Sequence, residues 1–188
     1  MRRLCLAALL GSSAFAQDLE GLDQTGIRFV PFGSSGSESF TVGGAFATDF
    51  NDAYDLNVHG AYSTFLVDDL ELVVEGAIWW AIQPGKDALG LNPSLVFRHH
   101  LFNEGDWSFY LDAGIGAVVF TDRVPSDGTR FNFTPRAGLG FTYALDDQGT
   151  RLQVGLRWHH YSNARIEGEE KNPARDGPLL YAGVVIPW

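Results

Sequence analysis

Eight stretches of this 188-residue chain alternate apolar and polar side chains with a period of two, each bounded by Asp, Asn, Gly or Pro clusters. They fall near 38–48, 54–65, 69–82, 89–102, 106–120, 129–145, 148–162 and 176–187. Successive side chains of a strand point to opposite faces, so each stretch carries two chemically distinct sides. In the third, Leu70, Leu72, Val74, Gly76, Ile78 and Trp80 oppose Glu71 and Glu75. The fifth sets Trp107, Phe109, Leu111, Ala113, Ile115, Ala117 and Val119 against Ser108, Tyr110, Asp112, Gly114 and Gly116. The sixth sets Phe131, Phe133, Ala137, Leu139, Phe141 and Tyr143 against Arg130, Asn132, Thr134 and Arg136.

Two architectures accommodate this pattern, a secreted β-sandwich and a closed barrel in a membrane. Beyond the first segment, no run reaches the ~18 uncharged apolar residues of a spanning helix. A closed barrel is then the one way left to cross a bilayer. Its lipid-facing wall needs a continuous apolar band, which the alternation supplies, and its narrow interior lets Glu71, Glu75, Arg98, Asp112, Arg136 and Arg157 pair with one another. The expected fold is therefore all-β, an eight-stranded antiparallel up-and-down transmembrane β-barrel over residues 38–188.

The N-terminus reads as an export signal. Arg2 and Arg3 form a basic start, Leu4 to Leu10 are apolar, and Ala14-Phe15-Ala16 fits a small-x-small cleavage site, so residues 1–16 are the expected signal peptide. Cleavage removes the single cysteine, Cys5, and leaves 11 basic against 23 acidic residues. A cysteine-free exported chain has no disulfides, and an acidic chain without basic clusters is not built to neutralise phosphates, so nucleic acid is excluded as a partner. Residues 17–37, with Gly33-Ser34-Ser35-Gly36-Ser37, are expected to form an N-terminal lead or plug.

The connections alternate in length. Those near 66–68, 103–105 and 145–148 are short, and those near 49–53, 83–88, 121–128 and 163–175 are longer. Short periplasmic turns and long external loops put both termini in the periplasm, with Trp188 at the inner interface. The seventh strand then climbs outward and carries Leu152, Val154, Leu156, Trp158, His160 and Ser162 on its lipid side. The i, i+2 spacing sets His160 and Ser162 about 6.5–7 Å apart at Cα, within reach of an imidazole–hydroxyl pair at the outer-leaflet interface. A barrel needing only stability would put Leu or Phe there, although His and Ser beside headgroups also suit a plain interfacial belt.

The segment His160-Tyr161-Ser162-Asn163-Ala164, followed by Asn172-Pro173 and Asp176, resembles the signature of the outer-membrane lipid A 3-O-deacylases of the PagL type. The resemblance is strongest over 151–188. It implies a serine-esterase site without cofactor or metal, in which Ser162 is the nucleophile, His160 the general base and Asp176 the acid orienting the imidazole. It further implies that Asn172 donates to the oxyanion and Asn163 supports the site through hydrogen bonds. The family's best known members carry Glu where Asp176 stands. The stretch from His to Asn is also about two residues longer here and holds Glu167, Glu169 and Glu170, any of which is an alternative acid.

The implied activity is hydrolysis of the ester-linked 3-hydroxyacyl chain at the 3-position of lipid A, in the bacterial outer membrane, with lipopolysaccharide as substrate and a homodimer left open. Two other readings are a non-enzymatic small barrel with structural, adhesive or solute-passing duty, and a lipid hydrolase or acyltransferase acting on phospholipid. The pairs His99-His100 and His159-His160 do not chelate a metal as units, because neighbours on a strand face opposite ways. Trp79, Trp80 and Trp158 are expected as interfacial anchors, with Trp80 or Trp158 also able to line an acyl groove.

Overall fold

A computed structural model describes residues 30–188; the expected signal peptide and residues 17–29 of the expected lead lie outside the described residues. The barrel unit runs from Phe32 to Trp188. Nine strands form one sheet: β1 (Glu38–Thr48), β2 (Tyr54–Val67), β3 (Leu70–Ile82), β4 (Ala88–Asn103), β5 (Trp107–Val124), β6 (Thr129–Phe133), β7 (Arg136–Ala144), β8 (Arg151–Tyr161) and β9 (Arg175–Pro187). Each pairs antiparallel with its neighbours, β1 with β9 and β4 with β5 included, so the sheet closes on itself. Strands β6 and β7 are halves of one stave. Both pair with β5 in a single unbroken register, from Ala117 opposite Phe133 to Gly114 opposite Arg136. The gap falls at Pro135, which has no N–H to donate. The architecture is the expected closed eight-stranded antiparallel barrel.

The period-two reading holds along the staves. Val74, Ile78, Trp80, Leu91, Ile115, Leu139, Leu156 and Leu180 are exposed on the outer wall, while Glu71, Glu75, Asn92, Arg98, Asp112, Arg136 and Arg157 are buried. Inside, these charges pair with one another. Arg98 donates to Glu71 at 2.8 Å, Arg136 to Glu75 at 2.7 Å, and Arg157 to Asp112 at 2.8 Å. The Arg157 guanidinium also reaches Glu75 at 3.5 Å and lies 4.3 Å from the Tyr181 ring centroid. Tyr181 fits because Gly155 lies beneath its ring; a Cβ at Gly155 would collide with the phenol. Large and small side chains alternate in this way to fill a small barrel.

The connections at one end are 49–53, 83–87, 125–128 and 162–174, and at the other 68–69, 104–106 and 145–150. Two boundaries differ from expectation. Strand β8 begins at Arg151 rather than near 148, because the Asp146 carboxylate accepts the N–H groups of Gln148 and Thr150 and folds the chain into a six-residue turn. Strand β5 continues to Val124, lengthened by its pairing with Thr129 and by the Asn132 amide donating to the Val124 carbonyl at 2.7 Å.

Two side chains are also corrected. Trp79 is no interfacial anchor: it is fully buried in the interior, its indole stacked 4.8 Å from the His159 ring. Arg130, expected to face inward, is exposed, since pairing between β5 and β6 lapses between Val119 and Val124 and the alternation lapses with it. At the end with short turns, the Phe32 ring lies 5.2 Å from Phe65 and 5.3 Å from His100, with the Arg151 guanidinium 4.1 Å from its centroid. Trp188 packs edge-on against Phe40 at 5.0 Å, so the last residue covers the start of β1.

Candidate active site

The end of β8 carries the site at the rim with long loops. Antiparallel register sets His160 directly opposite Asp176 of β9, and His159, one residue earlier, opposite Gly177. Side chains directly opposite on antiparallel strands stand about 4.5–5.5 Å apart at Cβ, so an Asp is long enough to reach a His across the ladder. It does: His160 Nδ1 lies 2.7 Å from Asp176 Oδ1. With Nδ1 committed to the carboxylate, Nε2 is the ring nitrogen left to take up a proton. The half-buried His160 and Ser162 share the outer side of the strand, whereas His159 and Tyr161 between and beside them are buried inside. Asp176 accepts a second bond on the same oxygen, from the indole Nε1 of Trp158 at 3.2 Å.

Ser162 is held from the opposite side. Its carbonyl accepts the Phe133 N–H at 2.7 Å and its N–H donates to the Phe133 carbonyl at 3.2 Å, an isolated bridge that extends the pairing of β8 one residue past its end. The chain then turns sharply through Ala164 and Arg165, both with positive φ. Gly177 permits the close approach of β9 to the end of β1, since a Cβ there would collide with the Thr48 carbonyl.

The two asparagines are tied together. The Asn172 side-chain oxygen accepts the backbone N–H of Asn163 at 2.8 Å, which leaves the NH2 end of the Asn172 amide as a donor for other partners. Asn163 is buried, and its amide is fully engaged: it donates to the Lys171 carbonyl at 2.7 Å and to Thr129 Oγ1 at 3.2 Å, and accepts from the Arg165 N–H at 2.8 Å. This amide closes the loop 162–174 against itself and against β6. The three loop glutamates are exposed, and among the described residues none of them is bonded to His160. Glu169 pairs with Arg165 at 3.5 Å, and Glu169 and Glu170 lie in a short 3-10 turn, Glu169–Lys171. Among the described residues, the carboxylate bonded to His160 is that of Asp176.

His160, Ser162, Asn163, Asn172 and Asp176, chosen from sequence, thus converge on one rim. Two neighbours were not foreseen in this capacity. The bond from Trp158 to Asp176 had a signal in the sequence, since 158, 160 and 162 share one face. Thr129 had none; only the closure of the barrel brings it to Asn163.

Asn163→Ala is expected to free residues 164–172 while leaving the barrel intact. Three side-chain hydrogen bonds disappear, and two part-buried backbone groups, the Lys171 carbonyl and the Arg165 N–H, lose their partner, at about 1 kcal/mol of local stability for each bond lost. Amide hydrogen exchange accelerates across this loop and not in β3 or β4.

The family model described as "Lipid A 3-O-deacylase (PagL)" matches residues 43–177, which include the interior ion pairs and the whole of the rim site. The chain belongs to this family. A lipid A deacylase PagL of Bordetella bronchiseptica is 41% identical over 71 residues, 36% of this chain and 36% of the relative, so the aligned stretch spans about a third of the relative's length. Among solved structures, the crystal structure of the outer membrane enzyme PagL superposes with a TM-score of 0.57 at 22% identity, covering 79% of this chain and 99% of the other. Neisserial surface protein A superposes with a TM-score of 0.55 at 14% identity over 81% of this chain and 96% of its own. These structures share the fold. The PagL-family chain is an outer-membrane β-barrel, as the lipid-facing apolar wall requires.

Proposed function

We propose that the protein is a serine esterase that removes the 3-hydroxyacyl chain ester-linked at the 3-position of lipid A. The observation that carries the proposal is the 2.7 Å contact between His160 and Asp176 on the outer wall, two residues before Ser162 on the same face. A polar His–Asp pair aimed outward at a membrane barrel's rim has a cost that a purely structural wall avoids. Hydrolysis at the headgroup level gives it a use, because the substrate's ester linkages lie at that depth and the lipid reacts without leaving the leaflet.

The chemistry follows from the groups present. The Asp176 carboxylate fixes the tautomer of the neutral His160 ring; Nε2 takes the Ser162 proton as Oγ attacks the ester carbonyl, forming a tetrahedral oxyanion, and the carboxylate stabilises the resulting imidazolium. The free NH2 end of Asn172 is the donor available to the oxyanion. Collapse expels the sugar 3-hydroxyl with the proton returned by His160. Water, activated by the same imidazole, then releases the 3-hydroxy fatty acid from Ser162.

The direct test is the mass of lipid A from cells expressing the chain, against cells with empty vector. Loss of one hydroxyacyl unit supports the reading. A changed phospholipid pool with intact lipid A favours the phospholipase or acyltransferase alternative, and no change in either favours a non-enzymatic barrel. The acid is tested separately. Asp176→Ala is expected to lower kcat by about 10⁴-fold, as loss of the orienting carboxylate does in a Ser-His-Asp site. Glu167→Ala, Glu169→Ala and Glu170→Ala are each expected to stay within about twofold, as exposed loop charges do. Full activity of Asp176→Ala would transfer the acid's role elsewhere.

A further inference from the structure

We infer that Trp158 is a positioning residue of the site, its indole N–H holding the Asp176 carboxylate on the His160 imidazole. The inference rests on the proposed role of Asp176. Trp158 and His160 of β8 and Ser162, one residue past its end, occupy alternate positions, so their side chains line one face in a row. Asp176, opposite His160, accepts from both of its row neighbours on a single oxygen: Nε1 of Trp158 at 3.2 Å and Nδ1 of His160 at 2.7 Å.

A carboxylate at this rim needs such a second hold. The Asp176 side chain is 41% exposed, while the interior acids Glu71, Glu75 and Asp112 are buried among guanidinium groups that fix them. One bond to an imidazole leaves the carboxylate free to rotate about its side-chain torsions and to swing into the headgroup layer. A donor one rung down β8, on the same oxygen, removes that freedom. The indole suits the place because its ring tolerates the membrane wall, where Trp158 is 55% exposed, while its one polar atom is a donor and never a competing acceptor. An interfacial anchor needs no such bond, and Trp80, exposed on the same wall, shows the plain form.

The test uses the full chain in detergent with lipopolysaccharide, scoring released 3-hydroxy fatty acid for the wild type, Trp158→Phe and Asp176→Ala. Phe keeps the aromatic ring and loses the N–H. The expected result is a kcat about tenfold lower at unchanged KM, the usual scale for losing one hydrogen bond to a charged group. The acid limb of the pH profile also moves, which the loss of a purely structural contact would not bring about. A second measurement needs no Trp158 variant: the indole N–H proton resonance of Trp158 moves upfield in Asp176→Ala. The inference is overturned by a wild-type kcat and acid limb in Trp158→Phe, by a raised KM with the pH profile in place, which is the mark of a lipid anchor, or by an indole resonance indifferent to Asp176. If Asp176→Ala is itself fully active, the acid assignment has failed and this inference falls with it. If Asp176→Ala is inactive while Trp158→Phe is normal, only this inference fails.

Discussion

Cells expressing the Ser162→Ala protein are expected to carry lipid A with its full acyl complement, while the variant barrel accumulates in the outer membrane at wild-type level. The change removes one oxygen from a half-buried rim position whose backbone bonds to Phe133 are untouched, so the fold has no reason to respond. The reaction does. Without Oγ there is no atom to form the acyl intermediate, and loss of a serine nucleophile costs about 10⁴- to 10⁶-fold in kcat, leaving what binding and the oxyanion donor supply. Heat-modifiable migration on a gel checks folding in the same sample that mass spectrometry reads for activity. Deacylation by the folded Ser162→Ala protein would remove Ser162 as nucleophile and point to another hydroxyl.

Arg157→Ala should have the largest effect on stability. Arg157 is the hub of the interior: it donates to both oxygens of Asp112, reaches Glu75 and stacks over Tyr181. Its removal leaves Asp112 with Arg98 Nε at 3.8 Å as its nearest cation, and Glu75 with Arg136 alone. Breaking a buried ion pair from one side costs about 3–5 kcal/mol, because the other charge stays behind without compensation. The urea midpoint for unfolding of the purified barrel in detergent should fall accordingly. Deleting both partners, Arg157→Ala with Asp112→Ala, should recover part of that loss, as coupled sites do in a double-mutant cycle. If the double variant is instead less stable by the sum of the two singles, the network is not coupled and its charges act as separate space-fillers.

Neither effect is visible from one residue's neighbours in sequence, yet much that leads to them was. The alternation of Leu70, Leu72 and Val74 with Glu71, Val73 and Glu75 is a local property of a strand, and it required no partner to be read. The six interior charges followed from it, since polar faces of eight strands closing on themselves have only each other to meet. The row of 158, 160 and 162 was equally local, fixed by a two-residue period. Where local chemistry was richer than the period, the reading slipped: the Asp146 carboxylate captured two amides and delayed β8, and the polar end of β6 ran past its regular pairing at Arg130.

The sequence alone settled the two-sidedness of the strands and, Trp79 and Arg130 apart, which of the side chains it singled out face lipid and which face inward, because alternation is set by backbone geometry within each strand. It settled neither who meets whom across the barrel nor how the rim closes. Trp79 and Trp80 are adjacent and chemically identical, and only parity relative to the wall sends one to stack on His159 and the other to the membrane. The choice of Asp176 over three loop glutamates as partner of His160 came from the register of β8 with β9. A shift of one residue in that register would have turned the carboxylate inward. Contacts between residues far apart in the chain, such as Thr129 with Asn163 or Arg157 with Asp112, exist because ring closure brings separate strands to fixed heights, and that closure belongs to the whole sheet.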